Sequence, residues 1–552
     1  MPSRMPLSSV EHALILSLSY VLWRTLRGFF VRNPLDNIPG PPSDSFLAGV
    51  LFLLERMGAS LTSPTGNVAQ LHGPDGFELH QSLERDYDPV VRIHGLFGAT
   101  QLYVYDPVAL HSIVMKDQDL YEESPVFLSL SGLLFGKGIL STTGEEHRRH
   151  RKVLVQAFST RNLRGMVPVL YEVAHRLRDG LMRPQVKDSA KELDMNALLS
   201  RTSLEFIGRA GIGHSFDTLA SSEEPVDPYT ESLKNLTLLI RELAVFTPLA
   251  PLISKLGSAS LQWFLLGLVP LRSLSALRDV VSTMEARAKT LVCQQIRAME
   301  KDSGKMDVTR LLLKMDDEGT RWTDADVVTR TSMIIQTATD TTSSSLNRVV
   351  HLLALYPDIQ ERLRAELACM PEQMDFDQLV GLPYLDGFIR ETLRLYPPIP
   401  LMSRIVTQDC ILPLSRPIQG LDGKMMGCIP LQKGTGVYIA ISAANHNPAV
   451  WGADAREFKP ERWENGRAEV GVRMSGVYSN TMTFVGGRRS CIGFKFVQLE
   501  LKVVLSVLLR SFRFSAPSDE IRWSVGAPAS PSVRTRPLLP IVVEWLSPRQ
   551  SS

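Results

Sequence analysis

The sequence predicts a mainly α-helical fold with minor β structure. It should form a single large α-rich domain with small β-sheets, preceded by an N-terminal membrane anchor helix. Three observations favour this fold class. Helical periodicity dominates from about residue 106 to residue 400, short alternating runs flank this stretch, and no repeat or long linker divides the chain. The chain of 552 residues is long enough to bury a large core and enclose a cofactor.

The N-terminal region is apolar enough to associate with a membrane. An apolar run from Ala13 to Trp23 resumes at Phe29 and predicts an anchor over residues 1–32. The run is shorter than the roughly 20 residues of a full span, so a tilted span and an interfacial helix both fit. An ordinary amphipathic core helix is the alternative. Arginines are more frequent after the run than before it, which places the main body in the cytoplasm.

Proline punctuates the chain after the anchor. Residues 33–45 contain Ile38-Pro39-Gly40-Pro41-Pro42 and predict a stiff extended linker, so residues 46–552 form the main domain. The clearest elements expected in that domain are a hairpin of Val90–His94 with Gln101–Tyr105 and a long helix over Asp324–Leu355. They are followed by a short strand at Gly434–Ala440, a last helix over Gly493–Leu509 and a β-type tail at Val542–Trp545.

The composition excludes several classes of protein. Hydrophobic residues make up 44% and charged residues 21%, which is typical of a globular chain. A net charge of +2 gives no electrostatic footprint for nucleic acid, so no nucleic-acid partner is expected. The five cysteines are sparse and never form a C-x-x-C pair, which argues against a disulfide scaffold and a structural zinc site.

One cysteine lies in a distinctive pattern. Residues Phe484 to Gly493 read F-V-G-G-R-R-S-C-I-G and match F-x-x-G-x-R-x-C-x-G at each fixed position. A thiolate ligand must be deprotonated, shielded from water and supplied with hydrogen bonds. Glycines such as Gly487 let backbone N–H groups approach the Cys491 sulfur, and Phe484 can cover it. The helix that starts near Gly493 points the positive end of its dipole at the sulfur.

This pattern resembles the cysteine motif of the cytochrome P-450 superfamily, which are haem-thiolate monooxygenases. The resemblance covers roughly residues 35–545, and the stretch Gly476–Asn480 is similar to eukaryotic, especially fungal, members. It implies haem b as cofactor, Cys491 as the iron ligand and Arg489 as a partner of a haem carboxylate. Arg404 is a further expected haem contact.

Two more motifs support the resemblance. Glu391 and Arg394 form an E-x-x-R pair on one helical face, and Arg462 lies in a later F-K-P-E-R-W stretch. In the superfamily these three side chains form a buried ionic triad with a structural role. The helix Gly144–Lys152 resembles the one whose W-x-x-x-R pair binds a haem propionate. Arg151 matches there, and His147 stands in the place of the tryptophan, where its imidazole can donate a hydrogen bond to a carboxylate.

The polar run 337–342, T-A-T-D-T-T, lies inside the long predicted helix. Such a run is unfavourable in a helix and predicts a local distortion that opens a pocket. The superfamily has an acid–alcohol pair here that delivers protons to iron-bound dioxygen, and Asp340 and Thr341 hold those places. A polar stripe facing solvent is the alternative.

The resemblance implies insertion of one oxygen atom from O₂ into a lipophilic substrate. Electrons would come from a separate NADPH-cytochrome reductase, because the stretch after Cys491 is too short for a flavin domain. The expected location is the endoplasmic reticulum membrane, with the catalytic domain facing the cytoplasm. A haem-thiolate isomerase, dehydratase or peroxygenase, or a non-enzymatic haem sensor, are the alternatives.

The substrate cannot be identified from the sequence, although its pocket is expected to be mostly apolar. A terpenoid, steroid or polyketide of secondary metabolism would suit it. The expected lining segments are Val126–Phe135, Asn235–Pro251, 337–342, Pro400–Ser403 and Gly526–Ala529.

The segment from Val50 to Gly66 interrupts the usual entry of the superfamily into its domain. It could be an unspliced short intron, an apolar patch beside the anchor or a tolerated surface insertion.

Overall fold

The computed structural model describes residues 33–42 and 67–546, with gaps at 74, 96–98, 222–226, 302–315, 318–319, 322, 465–471, 527 and 535. The predicted anchor over residues 1–32 and the segment Val50–Gly66 lie outside the described residues. No helix within the described ranges is long and apolar enough to cross a bilayer.

Helices account for most of the described chain, as predicted. In chain order they are α1 (Asn67–Leu71), α2 (Gly76–Asp86), α3 (Pro107–His111), α4 (Pro125–Phe135), α5 (Gly144–Ala157), α6 (Thr160–Arg176), α7 (Arg183–Val186), α8 (Met195–Phe206), α9 (Pro228–Glu242), α10 (Ala250–Ile253), α11 (Ala259–Gly267), α12 (Arg272–Lys301), α13 (Asp324–Leu355), α14 (Pro357–Ala368), α15 (Phe376–Val380), α16 (Pro383–Leu395), α17 (Ile441–Asn445), α18 (Pro448–Trp451) and α19 (Phe494–Ser511). Short π-helical segments continue α3, α6 and α8: Ser112–Lys116, Leu177–Met182 and Ile207–Ile212.

The strands are short and form small sheets. They are β1 (Val90–His94), β2 (Thr100–Val104), β3 (Tyr121–Glu122), β4 (Lys191–Asp194), β5 (Asp316–Asp317), β6 (Thr320–Arg321), β7 (Met402–Val406), β8 (Cys410–Gln419), β9 (Met425–Leu431), β10 (Gly436–Ile439), β11 (Phe512–Ser515), β12 (Arg522–Ser524), β13 (Ser530–Ser532) and β14 (Pro540–Trp545).

The largest sheet has the strand order β1-β2-β10-β7-β3. Strands β1 and β2 are antiparallel with Val90 opposite Val104, which confirms the predicted hairpin. Strand β10 runs parallel to β2 and antiparallel to β7, so the short strand predicted near residue 437 lies in the middle of this sheet. Strand β3 pairs with β7 at the edge, which brings the chain around residue 122 beside Ile405.

The predicted linker packs against this sheet. Leu35 and Ile38 are buried in the same apolar cluster as the strands, and the N–H of Arg92 donates to the carbonyl of Pro39 at 2.9 Å. The stretch 34–37 is a 3₁₀ turn capped by Asn33. The described part of the linker is therefore attached to the domain and contains one 3₁₀ turn.

The long helix α13 has the bounds that the periodicity predicted. A capping box begins it: the N–H of Asp326 donates to Thr323 Oγ1 at 3.2 Å, and Thr323 N donates to the Asp326 carboxylate at 3.0 Å. Pro357 follows closely after Leu355 and prevents continuation of the helix. With 32 residues, α13 is about 48 Å long and passes through the helical core.

The polar run 337–342 does not distort this helix. Every residue of the run is α-helical, and the hydroxyls of Thr337, Thr339 and Thr341 donate to carbonyls four residues earlier at 2.9, 2.7 and 2.7 Å. The predicted local distortion is wrong, because these hydroxyls are satisfied on their own helix rather than competing with its backbone bonds.

Two apolar clusters form the core of the described chain. The larger includes side chains of α6, α8, α13, α16 and α19, and the second packs the large sheet against α17. Phe484 belongs to the first cluster and its neighbour Val485 to the second. The loop that carries Cys491 therefore begins where the two clusters meet.

Candidate active site

A tight loop before α19 carries Cys491. The N–H of Cys491 donates to the carbonyl of Phe484 at 2.9 Å and closes the loop. Gly487 has a φ of 66°, and a Cβ there would lie 1.8 Å from the carbonyl oxygen of Val114, so only glycine fits. A Cβ at Gly493 would meet no described atom within 4 Å, so packing of the protein alone does not require glycine at that position.

The Cys491 sulfur lies at the N-terminal end of α19. Burial raises the pKa of the Cys491 thiol, while the backbone N–H groups of Gly493 and Phe494 and the charge of Arg151 oppose that rise. The side chain nevertheless retains accessible surface. Both observations are met if the sulfur faces an internal space. The surrounding donors and the helix dipole are placed to stabilise a thiolate once a cation faces it.

Three aromatic rings pack under the loop. Phe484 is buried, with its ring centroid 5.6 Å from that of Tyr478 and 6.0 Å from that of Phe494. The Tyr478 and Phe494 centroids are 6.4 Å apart. This apolar packing keeps water from the inner side of the loop.

Helix α5 presents His147 and Arg151 to the loop. Arg151 Nη1 donates to the carbonyl of Ser490 and Nη2 to its hydroxyl, both at 2.6 Å. Burial, together with the charges of Arg489 and Arg151, lowers the pKa of His147 to about 3. The imidazole is therefore neutral at physiological pH and can donate one N–H.

Arg404 and Arg489 lie at one edge of the site. Together with His147 they line a cavity of about 330 Å³. Arg489 Nη2 donates to Glu122 Oε1 at 2.6 Å, and Arg404 Nη1 donates to Glu123 Oε2 at 2.8 Å. The structure thus brings three of the expected cofactor contacts together, and each arginine already has a carboxylate partner.

Glu391, Arg394 and Arg462 meet as the motif predicts. Glu391 and Arg394 have no exposed side-chain surface and are 2.7 Å apart, and Arg462 Nε lies 3.3 Å from the same carboxylate. The indole N–H of Trp463 and the backbone N–H of Lys459 donate to it as well, at 3.0 and 3.1 Å. The buried charge is therefore saturated with donors.

A short chain of bonds links this triad to the cysteine loop. Arg394 donates to the carbonyl of Asn445 at 2.8 Å. The Asn445 side chain in turn accepts from Met482 N at 2.7 Å and donates to Thr483 Oγ1 at 2.9 Å. Thr483 Oγ1 donates back to the carbonyl of Leu393 at 2.7 Å. The triad therefore fixes the start of the loop.

Asp340 and Thr341 have separate partners. Asp340 Oδ2 accepts from Gln336 Nε2 at 2.7 Å and from Thr237 Oγ1 at 3.3 Å. Burial raises the pKa of Asp340 to about 6, and these two bonds oppose the rise. The Thr341 hydroxyl donates to the carbonyl of Thr337, so the structure does not join the predicted acid and alcohol directly.

Sequence reasoning missed four residues of this site. Gln336 lies one helical turn before Asp340, so the i, i+4 spacing could have indicated it. Thr237 lies on α9 inside the segment Asn235–Pro251, which was expected to line the pocket, but no signal singles it out as a partner of Asp340. Glu122 and Glu123 are two acids in a short strand region whose arginine partners lie 367 and 281 positions away.

Comparison with known proteins shows full-length similarity to one family. The sequence model of the cytochrome P-450 family matches residues 61–535. Cytochrome P-450 monooxygenase 91 of Postia placenta is 38% identical over 98% of this chain and 99% of its own length. A ganoderic acid synthetase of Ganoderma lucidum is 35% identical over 98% of this chain and 100% of its own length. A cytochrome P-450 crystal structure superposes with a TM-score of 0.66 at 21% identity, covering 85% of this chain and 94% of that one, which shows the shared fold.

Glu391→Gln should destabilise the protein strongly. The substitution leaves Arg394 buried without its countercharge, and breaking a buried ion pair in this way costs roughly 3–5 kcal/mol of unfolding free energy. Guanidinium unfolding followed by circular dichroism would measure the loss. The matched control is Glu361→Gln, which removes a charge from the exposed pair with Arg364. Similar losses in the two variants would show that burial of the pair is not what matters.

Proposed function

The chain belongs to the cytochrome P-450 family, and we propose that it inserts one oxygen atom of O₂ into a lipophilic substrate. Haem b is the cofactor of this family and fold. The observation that carries the proposal is the position of Cys491 at the start of α19, where the backbone N–H groups of Gly493 and Phe494 donate to its sulfur and the charge of Arg151 lies nearby. Relatives named as monooxygenases, which match nearly the whole chain, support the same reaction class.

The donor set around the site fits haem b. Cys491 would bind the iron, since its sulfur receives backbone donors and lies apart from bulk water. Arg404, Arg489 and His147 line one cavity and would hold the haem carboxylates, with Arg151 bracing the loop through Ser490. Phe484, Gly487 and Gly493 would shape the loop around the ligand.

When bound, haem b supplies the iron at which dioxygen is activated. The protein itself excludes water, orients the substrate and supplies protons. Asp340 holds a proton on its carboxylate up to about pH 6, and the Thr341 hydroxyl, which donates to the Thr337 carbonyl, would be the alcohol of the proton path. Water would relay the proton between them, since Asp340 and Thr341 do not bond each other.

Two rival functions are separated by one assay. A haem-thiolate isomerase, dehydratase or peroxygenase would turn over without external electrons. A haem sensor would bind haem without converting a substrate. Consumption of NADPH in the presence of a cytochrome reductase, coupled to hydroxylated product, supports the monooxygenase and excludes both rivals.

The substrate is proposed to be a lipophilic specialised metabolite. Ala529, at the end of one segment expected to line the pocket, bonds to residues next to two others. Ser344 Oγ, two residues after the run 337–342, donates to the Ala529 carbonyl at 2.6 Å, and Ala529 N donates to the carbonyl of Pro398, two residues before Pro400, at 2.8 Å. A relative named for ganoderic acid synthesis supports a role in secondary metabolism.

Electrons are proposed to come from a separate NADPH-cytochrome reductase. Arg149, Lys152 and Lys495 are exposed on α5 and at the start of α19, next to the cysteine loop. A cluster of cations there would guide an acidic partner by weak, charge-directed docking. Docking on this side would bring the donor near the Cys491 side of the haem.

Membrane attachment is proposed to involve the domain as well as the N-terminal segment. Between Ala244 and Leu271 the sequence has a single charged residue, Lys255. Many large apolar side chains of this stretch are exposed, among them Leu252, Phe264 and Leu268, each more than 60%. A contiguous apolar surface of this kind is rare on a soluble monomer and suits the membrane interface. Together with the expected anchor, this surface supports the proposal of a location on the endoplasmic reticulum membrane with the catalytic domain in the cytoplasm.

Cys491→Ser should abolish the thiolate-haem spectrum. The parent, reduced and bound to CO, should show the strongly red-shifted Soret band of a thiolate ligand, because sulfur donates electron density to the iron. The variant should lack that band. Cys369→Ser is the matched control, since Cys369 is exposed at the end of α14. A band that survives the change at Cys491 would refute the assignment.

Asp340→Asn should remove a pH dependence of coupling. Because burial raises the folded-state pKa from 3.8 to about 6, Asp340 is protonated below pH 6 and loses its proton above it. Product formed per NADPH in the parent should therefore fall as the pH rises through about 6, with the balance appearing as peroxide. The variant should show a flat, low yield. Thr341→Ala should also divert electrons into peroxide. Thr339→Ala is the control and should behave as the parent, because the Thr339 hydroxyl is buried and donates to the Ile335 carbonyl.

Charges in the apolar surface should weaken membrane binding. A chain without residues 1–32 should still sediment partly with phospholipid vesicles, and Phe264→Asp with Leu268→Asp should release it by making burial of the surface unfavourable. Ile411→Asp with Leu421→Asp, at exposed apolar sites on and beside β8, is the control. Equal sedimentation of all three proteins would count against this surface.

A further inference from the structure

Three arginine–carboxylate pairs surround one edge of the cavity described above. The acids come from a single short stretch, Asp119–Glu123, and the arginines are Arg404, Arg488 and Arg489. Each arginine has one acid, so the charges of the three pairs cancel. The pairs differ mainly in burial: the Asp119–Arg488 pair is largely exposed, whereas both side chains of the Glu123–Arg404 pair are less than a tenth exposed.

The buried pair leaves most of the guanidinium available. Arg404 Nη1 donates to Glu123 Oε2 and to the Ser403 carbonyl, both at 2.8 Å. Its Nε and Nη2 have no acceptor among the described residues, and the side chain lines the cavity. An arginine that is 3% exposed and still has unused N–H groups indicates a missing anionic acceptor.

Strand pairing fixes the acids against these arginines. Glu122 lies opposite Ile405 in the β3–β7 pair, which places Glu123 beside Arg404 of β7. The Glu122 carboxylate accepts from the N–H of Glu123 at 3.0 Å and from Arg489 at 2.6 Å. The two acids therefore form one unit and hold arginines from β7 and from the cysteine loop in fixed relative positions.

We propose that Glu123 is a positioning residue, which holds Arg404 by one nitrogen so that its other N–H groups face a haem carboxylate. Glu122 helps to hold Arg489, whose Nη1 and Nη2 also donate to the carbonyls of Ile139 and Thr142. This inference rests on the proposed binding of haem b in the site. The physical reason is that a long side chain costs entropy to order, and a buried ion pair orders Arg404 before the cofactor arrives.

The rate at which haem leaves the full-length holoenzyme tests this role. An excess of apomyoglobin serves as the acceptor, and the transfer is followed by absorbance at equal temperature and pH. Glu123→Ala should release haem at least about tenfold faster than the parent, as expected when a residue that orients a cofactor contact is lost. Glu123→Gln retains an acceptor oxygen for Arg404 and should stay within about threefold of the parent.

The matched control is Asp119→Ala, which breaks the exposed pair with Arg488 and should leave the release rate unchanged. Release from Glu123→Ala at the parental rate, or more slowly, would overturn the inference, because the acid would then be dispensable or would compete with the haem carboxylates. Loss of haem from Glu123→Gln as fast as from Glu123→Ala would also overturn it, since the retained oxygen would not be what positions Arg404.

The CO spectrum of the parent separates this inference from the proposed function. A parent that lacks the thiolate band would refute ligation by Cys491, whatever the release rates are. A parent that has the band, with equal release from all variants, would refute only the role of Glu123. If Glu123→Ala does not fold, the haem release rates of Glu123→Gln and Arg404→Lys decide. The Arg404→Lys variant should release haem faster than the parent, because lysine cannot donate to two acceptors in a planar fork.

Discussion

A carboxylate without access to water is the constraint on which the active site depends. Glu391 is fully buried, so its carboxylate must accept hydrogen bonds from other groups of the protein. Without them, the desolvation free energy of the buried charge would strongly destabilise the fold. Glu391 accepts them from Arg394, Arg462, Trp463 and Lys459. Those donors come from α16 and from the stretch before the cysteine loop, so satisfying one charge forces distant parts of the chain together. A buried ion pair is in general weak evidence for a more stable fold. Here its effect is to fix the position of α16 relative to the stretch before the cysteine loop.

Around the cysteine loop, the charged groups that need partners from other elements are cations. Arginines approach the loop from α5, from β7 and from the loop itself, and each is engaged by a hydroxyl, carbonyl or carboxylate of another element. A cofactor that brings two carboxylates and one iron would therefore enter a preorganised set of cations. The glycine at position 487 and the aromatic packing of Phe484 then set how closely the backbone and the rings can approach.

Local patterns in the sequence were sufficient for much of this fold. The hairpin β1–β2 and the bounds of α13 follow from side-chain periodicity and capping residues, and the pair Glu391–Arg394 follows from its spacing of three. The resemblance predicted the long-range contact of Arg462 with Glu391, but it did not give two others. No local signal joins Glu123 to Arg404, or identifies Thr237 within its expected pocket segment as the partner of Asp340. The distortion expected in α13 does not occur, because the threonine hydroxyls donate to carbonyls of their own helix. The linker was expected to be stiff and extended, and its burial against the sheet was not foreseen, although Leu35 and Ile38 are apolar and are buried there.

The connectivity of the cysteine loop has a consequence for the order of events during folding. Arg151 reaches Ser490 across 339 positions, and the N–H of Arg488 reaches Gln118 across 370. Contacts of such long sequence separation form slowly, because chain closure must precede any gain from them. During synthesis α5 and β3 leave the ribosome well before the cysteine does. We therefore expect the local helices and the β1–β2 hairpin to form first, and the cysteine loop to close late together with the long-range strand pairs, so that haem is captured late in folding.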